Sequence, residues 1–134
     1  MKNKIGDYYE LKSKFTSEDV NQFAKISGDF NPVHLNEDFA KNTVFKKRIV
    51  HGFLYGSTIS SIIANKLPGL GSIYMYQDMK FVNPVYHNEE LLSKVEIIEI
   101  DYEKDIYILD TSILKAKTKI EVLIGKAKIK YFGK

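Results

Sequence analysis

Apolar and polar side chains alternate along four stretches in the second half of the chain. A period of two is typical of β-strands, and these stretches are rich in Ile, Val, Tyr and Leu. Short turn segments join them, so consecutive strands are expected to pair in antiparallel fashion. The predicted strands span residues 71–82, 90–102, 104–117 and 118–132.

The first half of the chain mixes a strand with helices. Residues 5–15 alternate as a strand. Thr16 or Ser17 then begins a helix whose one-sided apolar stripe runs to Ile26. Gly28 ends this helix, since glycine readily adopts the positive φ of a helix end.

The segment that follows is predicted to be irregular. Residues 29–34 are expected to form a turn, because Pro32 disfavours a helical conformation at the residue before it. Residues 36–41 are predicted as a short helical turn with Phe39 and Ala40 facing inward.

The most apolar stretch runs from Val50 to about Lys66 and predicts a long helix, buried on nearly all sides. One such helix beside consecutive antiparallel strands indicates an α+β fold with the sheet wrapped around the helix. The length of 134 residues predicts a single domain over residues 1–134.

Composition excludes several kinds of site. With no cysteine, the chain has no disulfide, thiolate nucleophile or cysteine-ligated zinc, and three histidines make a metal site improbable. A net charge of +3 is too small to indicate nucleic-acid binding. No stretch resembles a signal peptide or a membrane span, so the expectation is a cytoplasmic protein that does not enter the membrane.

A carboxylate and an imidazole lie close together in the irregular segment. Asp29 and His34 are five positions apart, in a loop bounded by regular structure. Histidine can take and give a proton near neutral pH, while a carboxylate can orient a water molecule. The motif has no serine or cysteine suited to act as a nucleophile, so the pair fits addition or removal of water better than acyl transfer.

The start of the long helix offers a second set of groups. Backbone N–H groups at Gly52 have no partner within the helix and could polarise a thioester carbonyl. His51 is expected to fix the helix start or to contact substrate. Ser60, about two turns further, is expected to hydrogen-bond Asp29.

These motifs together resemble the MaoC-like, or hydratase 2, family of (R)-specific enoyl-CoA hydratases. The resemblance is carried by Phe23-x-x-Ile26-Ser27-Gly28-Asp29-x-Asn31-Pro32-Val33-His34, by Ile49-x-His51-Gly52-x-Leu54-x5-Ser60, and by Lys80-Phe81-x-x-Pro84-Val85. It implies a hot-dog fold that forms at least a homodimer, either as such or as a dimer of dimers, with the site near the dimer interface. It also implies reversible syn hydration of trans-2-enoyl-CoA to (R)-3-hydroxyacyl-CoA. It implies no cofactor, because coenzyme A is part of the substrate.

The resemblance also assigns roles to residues at matching positions. Asp29 and His34 would act as the catalytic pair through one bound water. The Gly52 N–H would be the oxyanion donor, Asn31 would shape the loop, and Ser60 would orient Asp29.

The sequence departs from the family pattern at two places. Asn88-Glu89 stands where Gly-Asp is common, and Asn88 is expected to keep the turn because asparagine tolerates the left-handed conformation. Phe53 stands where methionine is common after His51-Gly52, a change that would alter the acyl pocket without touching the chemistry.

Three functional hypotheses remain open at this point. The first is a hydro-lyase acting on acyl-CoA thioesters or on acyl-carrier-protein thioesters. The second is an acyl thioesterase, because fold alone does not decide function and thioesterases share the hot-dog fold. The third is a non-catalytic accessory subunit, against which the intact Asp29 and His34 argue.

Other residues have simpler interpretations. The Lys46-Lys47-Arg48 cluster is interpreted as a solvated corner, with ligand phosphates as the alternative. His87 is expected at the surface. Tyr55 is expected to pack in the core or an interface, or to line the acyl tunnel.

Overall fold

The computed structural model describes residues 2–133. Six strands form one antiparallel sheet in the order β1-β4-β5-β6-β2, and the short β3 also pairs with β6. No helix in this range is both long and apolar enough to cross a membrane. In chain order the elements are β1 (Tyr8–Ser13), α1 (Ser17–Ser27), α2 (Pro32–Leu35), α3 (Glu37–Lys41), α4 (Gly52–Asn65), β2 (Ser72–Gln77), β3 (Lys80–Phe81), β4 (Leu91–Asp101), β5 (Ile106–Lys115) and β6 (Glu121–Tyr131).

The hydrophobic core lies between the sheet and α4. This helix packs against β1, β4 and β5. It buries Ile59, Ile62 and Ile63 against alternate residues of β4, among them Val95 and Ile97. The prediction of an α+β fold, with an antiparallel sheet around one long helix, is confirmed.

The first helix has the ends that its sequence predicts. The Thr16 hydroxyl accepts a hydrogen bond from the Asp19 N–H at 3.1 Å, and the Asp19 carboxylate accepts one from the Thr16 N–H at 2.9 Å. This reciprocal capping box satisfies two of the amide groups that the first turn leaves unpaired. At the other end, Gly28 has φ 77°, the left-handed conformation of a helix C-cap.

The irregular segment is more regular than predicted. Pro32–Leu35 forms the short helix α2, so His34 lies in a helical turn rather than in a loop. Asn31 caps this turn, because its side-chain oxygen accepts a hydrogen bond from the Val33 N–H at 3.1 Å. Proline suits the first helical position, where no N–H is needed. Pro32 keeps Asn31 out of the helical conformation as predicted, with φ −54° and ψ 124°, and itself begins a helix that was not predicted.

The predicted strand over residues 71–82 is divided into β2 and β3. The backbone of Asp78 crosses directly over Gly125 of β6, which leaves no room for a side chain there. The Asp78 N–H donates to the Lys126 carbonyl at 3.0 Å, and the Asp78 carboxylate accepts a hydrogen bond from the Lys126 N–H at 2.8 Å. The break turns Met79 inward, and its sulfur packs against Gly56 of α4.

Three smaller expectations have mixed outcomes. Ala40 is buried as predicted, but Phe39 is 49% exposed, so its predicted inward orientation is wrong. The nearly complete burial predicted for the long helix is also wrong, since α4 exposes Phe53, Ser57, Ser60, Ser61 and Ala64. Asn88 has φ 64°, which confirms the left-handed turn that asparagine was expected to keep.

The segment before α4 is tied to the segment after β3. The Val50 N–H donates to the Val85 carbonyl at 2.8 Å, and Ile49 forms an isolated bridge with Tyr86. The Tyr86 hydroxyl also donates to the Phe45 carbonyl at 2.7 Å. These bonds fix the entrance to α4 against the sheet, beside α2.

Candidate active site

A chain of local hydrogen bonds sets the conformation around Asp29. The Ser27 hydroxyl donates to the Phe23 carbonyl at 2.7 Å and accepts from the Asp29 N–H at 3.1 Å. The Asp29 carboxylate accepts from the Asn31 N–H at 3.2 Å. The side chain of Asp29 is exposed, so its second oxygen remains available to a ligand.

His34 is held in one tautomer. Its Nδ1 lies 2.8 Å from the Ile49 carbonyl, which can only accept, so Nδ1 carries the proton. The Nε2 atom is therefore an acceptor that is free to take a proton from a ligand or from water. Arg48 supports the same turn from the other side, since its Nε donates to the His34 carbonyl at 2.7 Å and its Nη2 donates to Asn21 at 2.9 Å.

His51 lies directly beneath His34. The two rings stack with centroids 3.9 Å apart and an interplanar angle of 26°, and the edge of Phe23 contacts His51 from another side. The buried His51 donates from Nε2 to the Asp29 carbonyl at 3.1 Å, while its Nδ1 has no partner among the described residues. Burial lowers the pKa of His51 below its ordinary value of 6.5, and the neighbouring His34 acts in the same direction. His51 is thus a neutral support for both Asp29 and His34.

The start of α4 is uncapped and faces the same cavity. His51 occupies the N-cap position, but its side chain makes no capping hydrogen bond, so the N–H of Gly52 has no partner within the helix. A β-carbon at Gly52 would lie only 2.5 Å from the ring of Phe81. Glycine is therefore required for Phe81 to pack this closely against the first turn.

A cavity of about 390 Å³ joins these groups. Asp29, His34, His51 and the Gly52 backbone stand along one part of its wall, and most of the remaining wall is apolar. This is the usual character of a small-molecule site, in which a few polar groups orient a largely apolar ligand. The other lining residues are Phe45, Ile49, Val50, Phe53, Tyr55, Phe81, Val82, Asn83 and Pro84.

The donor atoms of Asp29, His34 and His51 lie within 4.8 Å of one another, close enough to suggest a metal site. A metal ion lies in the plane of each imidazole that binds it, and structural sites place such ligands at tetrahedral angles. The two imidazoles are stacked almost parallel, so their lone pairs do not converge on one point. This geometry does not suit a metal ion.

The structure brings together five of the six residues that the sequence nominated. Asp29, His34, His51 and Gly52 line one cavity, and Asn31 caps the turn that carries His34. The predicted bond from Ser60 to Asp29 is wrong. Ser60 is exposed on α4, outside the cavity, because two helical turns carry it about 12 Å along the axis from Gly52.

Sequence reasoning missed several supporting groups. The hydroxyl beside Asp29 belongs to Ser27, whose place directly before Gly28-Asp29 was the available signal. Arg48 was grouped with two lysines as a surface cluster, yet it is tied into the His34 turn. Lys47 lies 5.1 Å from the centroid of the Tyr86 ring, and Lys46 is exposed.

His87 departs from its predicted surface position. It is partly buried, and its Nε2 atom is enclosed without a hydrogen-bond partner among the described residues. Burial lowers the pKa of His87, and the nearby Arg48 adds to that effect. His87 does not line the cavity.

Residues 2–116 match the sequence model of the protein family described as "MaoC like domain". The chain is 37% identical over 126 residues to the (R)-specific enoyl-CoA hydratase of Aeromonas caviae, across 94% of this chain and 93% of that protein. It is 34% identical to the mitochondrial 3-hydroxyacyl-[acyl-carrier-protein] dehydratase of Arabidopsis thaliana, across 92% of this chain and 75% of that protein.

Solved structures give a matching result. The (R)-hydratase from A. caviae superposes with a TM-score of 0.92 at 36% identity, covering 96% of this chain and 97% of that chain. The R-hydratase PhaJ1 from Pseudomonas aeruginosa superposes with a TM-score of 0.89 at 36% identity, covering 96% and 82% of the two chains. The predicted hot-dog fold is confirmed by these similarities.

Proposed function

Because this chain belongs to the MaoC-like domain family, we propose that it is an (R)-specific enoyl-CoA hydratase whose chemistry is carried by Asp29 and His34. Its substrate is a trans-2-enoyl-CoA thioester and its product an (R)-3-hydroxyacyl-CoA, in a reversible syn hydration. The observation that carries this proposal is that a carboxylate oxygen of Asp29 and a ring nitrogen of His34 lie within 4.8 Å of each other in one cavity.

The spacing of the two groups suits one water molecule. A carboxylate oxygen of Asp29 and a ring nitrogen of His34 lie within 4.8 Å of each other, and a water hydrogen-bonded to two groups at about 2.8 Å spans up to about 5.6 Å. Asp29 accepts one hydrogen of this water and orients it. His34 accepts the other proton at Nε2, since the Ile49 carbonyl already holds Nδ1–H.

The protons and electrons balance through His34. As Nε2 takes the proton, the water oxygen bonds to C3 of the enoyl chain, and the C2–C3 π electrons move to form an enolate on the thioester oxygen. The Gly52 N–H stabilises that oxygen at the uncapped start of α4. His34 then returns its proton to C2. Because His34 both activates the water and returns its proton, the hydroxyl group and the hydrogen add to the same face, which gives syn addition. The reaction needs no cofactor.

The carrier of the acyl group is a finer question. We propose coenzyme A, on the 37% identity to an (R)-specific enoyl-CoA hydratase across nearly the whole of both chains. A specific observation favours acyl-carrier protein as a second candidate, namely the 34% identity to an acyl-carrier-protein dehydratase. The ratio of kcat/KM for crotonyl groups on the two carriers decides between them.

We also propose that the chain works as at least a homodimer in the cytoplasm. Support for the dimer comes from β2, whose outer edge is unpaired among the described residues. Four neighbouring side chains of this strand are well exposed and largely apolar: Ile73, Tyr74, Met75 and Tyr76. Such an edge is typical of a surface that another chain covers.

The assay on the purified protein follows crotonyl-CoA by the loss of enoyl-thioester ultraviolet absorbance and by the release of free thiol. Hydration without thiol release is expected. Thiol release without hydration would indicate a thioesterase, and inactivity with every enoyl chain length would indicate an accessory subunit.

Substitutions of the catalytic pair test the assignment. Asp29→Asn keeps an oxygen for the Asn31 N–H, and His34→Asn keeps an N–H for the Ile49 carbonyl, so both variants should fold. Each should lower kcat about 10²–10⁴-fold, the contribution of a general acid or base. Asp38→Asn, at an exposed carboxylate on α3, is the matched control. Near-normal turnover in either active-site variant rejects the assignment.

A further inference from the structure

Tyr55 has a hydroxyl that the fold does not use. The residue is only 3% exposed, and its ring belongs to the hydrophobic core. Buried tyrosine hydroxyls usually have a hydrogen-bond partner, as the Tyr86 hydroxyl has in the Phe45 carbonyl. No described residue hydrogen-bonds the Tyr55 hydroxyl, and its oxygen is not among the fully enclosed polar atoms, so a ligand in the cavity can reach it. The same side chain lines the active-site cavity.

The position of Tyr55 on α4 relates it to Gly52. Residues three apart lie on the same helix face, and helical side chains lean toward the N-terminus, so Tyr55 covers the first turn. The ring of Phe81 contacts both residues. It lies against the Gly52 backbone, and its centroid is 6.1 Å from that of Tyr55 at an angle of 80°. Tyr55 and Gly52 therefore border the same part of the cavity.

We infer that the Tyr55 hydroxyl is a second donor to the thioester oxygen, acting beside the Gly52 N–H as the enolate forms. This inference rests on the proposed function. A thioester oxygen has two lone pairs and can accept two hydrogen bonds. In a largely apolar cavity, a donor already fixed in place stabilises the developing charge without first having to reorganise.

The ionisation of Tyr55 supports this role. Burial raises the pKa of Tyr55 to about 12, so the hydroxyl stays protonated throughout the physiological range. A protonated phenol can donate a hydrogen bond to a carbonyl oxygen, whereas a phenolate cannot. The residue acts as a hydrogen-bond donor and moves no proton to carbon.

The first experiment compares Tyr55→Phe with the wild-type protein on enoyl-CoA substrates. We expect kcat to fall about 10²-fold, the cost of losing one oxyanion donor, with little change in KM and the same factor at every chain length. The melting temperature should not fall, because no intramolecular hydrogen bond is lost. An unchanged kcat, or a loss that depends on chain length, overturns the inference and makes Tyr55 only a wall of the acyl pocket.

Tyr107→Phe is the matched control. Tyr107 is also buried, but its hydroxyl accepts a hydrogen bond from Asn3 at 3.4 Å and lies outside the cavity. Removing that hydroxyl should leave kcat unchanged. A similar kcat loss in both variants would assign the effect to the fold and overturn the inference.

A second experiment does not depend on turnover. The infrared carbonyl band of bound butyryl-CoA, a saturated thioester that cannot be hydrated, reports hydrogen bonding at the thioester oxygen. The band should lie at lower frequency in the wild-type complex than in the Tyr55→Phe complex. Equal frequencies would reject the role of Tyr55 but not the proposed hydratase function, which the crotonyl-CoA assay tests separately. If the wild-type protein binds no thioester, the proposed function and the inference both fail.

Discussion

The tautomers of two histidines define the site at the scale of single residues. His34 donates from Nδ1 to a backbone carbonyl, which leaves Nε2 as the acceptor toward the cavity. His51 donates from Nε2 to the Asp29 carbonyl, and its other nitrogen is buried without a partner. Stacked rings at 3.9 Å would repel each other if both were charged. The arrangement therefore favours a neutral His51 beneath a His34 whose Nε2 is able to accept a proton.

This arrangement predicts an acid-sensitive stability that depends on His51. Burial lowers its pKa in the folded state, so the unfolded chain binds a proton more readily as pH falls through the ordinary value of 6.5. The stabilisation is complete above that pH and is lost as pH falls toward the folded pKa. One proton contributes a slope of at most about 1.4 kcal/mol per pH unit. Urea unfolding at about pH 8 and about pH 5.5 measures the difference.

The control for this prediction is His51→Gln. Glutamine can still donate to the Asp29 carbonyl but does not titrate, so its free energy of unfolding should change less over the same range. His87, whose pKa is also lowered by burial, is present in both proteins and cancels in the comparison. Equal slopes in the two proteins would contradict the role of His51.

Residue types and spacing were enough to assemble most of the candidate site. Asp29, His34 and Gly52 were predictable because their chemistry and their positions near helix ends are local features. The contact predicted between Ser60 and Asp29 was wrong because the helical repeat gives the position of a residue along the helix axis. It does not show which part of the protein packs against that side of the helix. The free hydroxyl of Tyr55 could not be predicted, since it depends on which side chains surround the ring in three dimensions.

At the scale of elements, the ends of α1 and α2 fix the approach of Asp29 to His34. Gly28 reverses the chain at the end of α1, and Asn31 begins α2 only three residues later. The sequence predicts that Gly28 ends a helix and that Pro32 keeps Asn31 non-helical, but it does not predict the helix that Pro32 begins. Proline can start a helix as well as stop one, and the capping side chain of Asn31 determined the outcome here.

Gly28 provides a test at this scale. Its φ of 77° is costly for residues with a β-carbon, while the space around that position is open. Gly28→Ala should therefore lower the free energy of unfolding by about 1–2 kcal/mol through backbone strain, without any steric clash. Gly28→Asn should cost less, because asparagine tolerates the left-handed conformation. Chemical denaturation measures both, and equal losses would argue against strain as the cause.

At the scale of the whole molecule, the sheet combines local and distant pairings. β4, β5 and β6 pair in sequence order, as short turns predict. The two edge strands pair across long separations, β1 with β4 and β2 with β6. Those pairings could not be deduced from periodicity, because alternation identifies a strand but not its partner. The family resemblance implied a hot-dog fold, but it did not state which strands pair at the edges of the sheet.

The two edges of the sheet differ in a way that bears on assembly. The edge strand β1 carries Glu10 and Lys12, and charges on an edge discourage pairing with another chain. The other edge strand, β2, reads Ser-Ile-Tyr-Met-Tyr-Gln and carries no charge. Ile73 and Met75 are each 52% exposed on it. If two copies associate through an edge, β2 is therefore the edge that they use.

Association through β2 predicts a dimer with twice the 15.4 kDa mass of one chain in sedimentation equilibrium. Ile73→Lys and Met75→Lys should shift the protein toward monomer, because a lysine buried between two chains would lose its hydration. Ile26→Lys, at an apolar side chain that is 85% exposed on α1, should leave the mass unchanged. Dimers that persist in both β2 variants would show that the chains associate through another surface, and a monomeric wild-type protein would reject the proposed dimer itself.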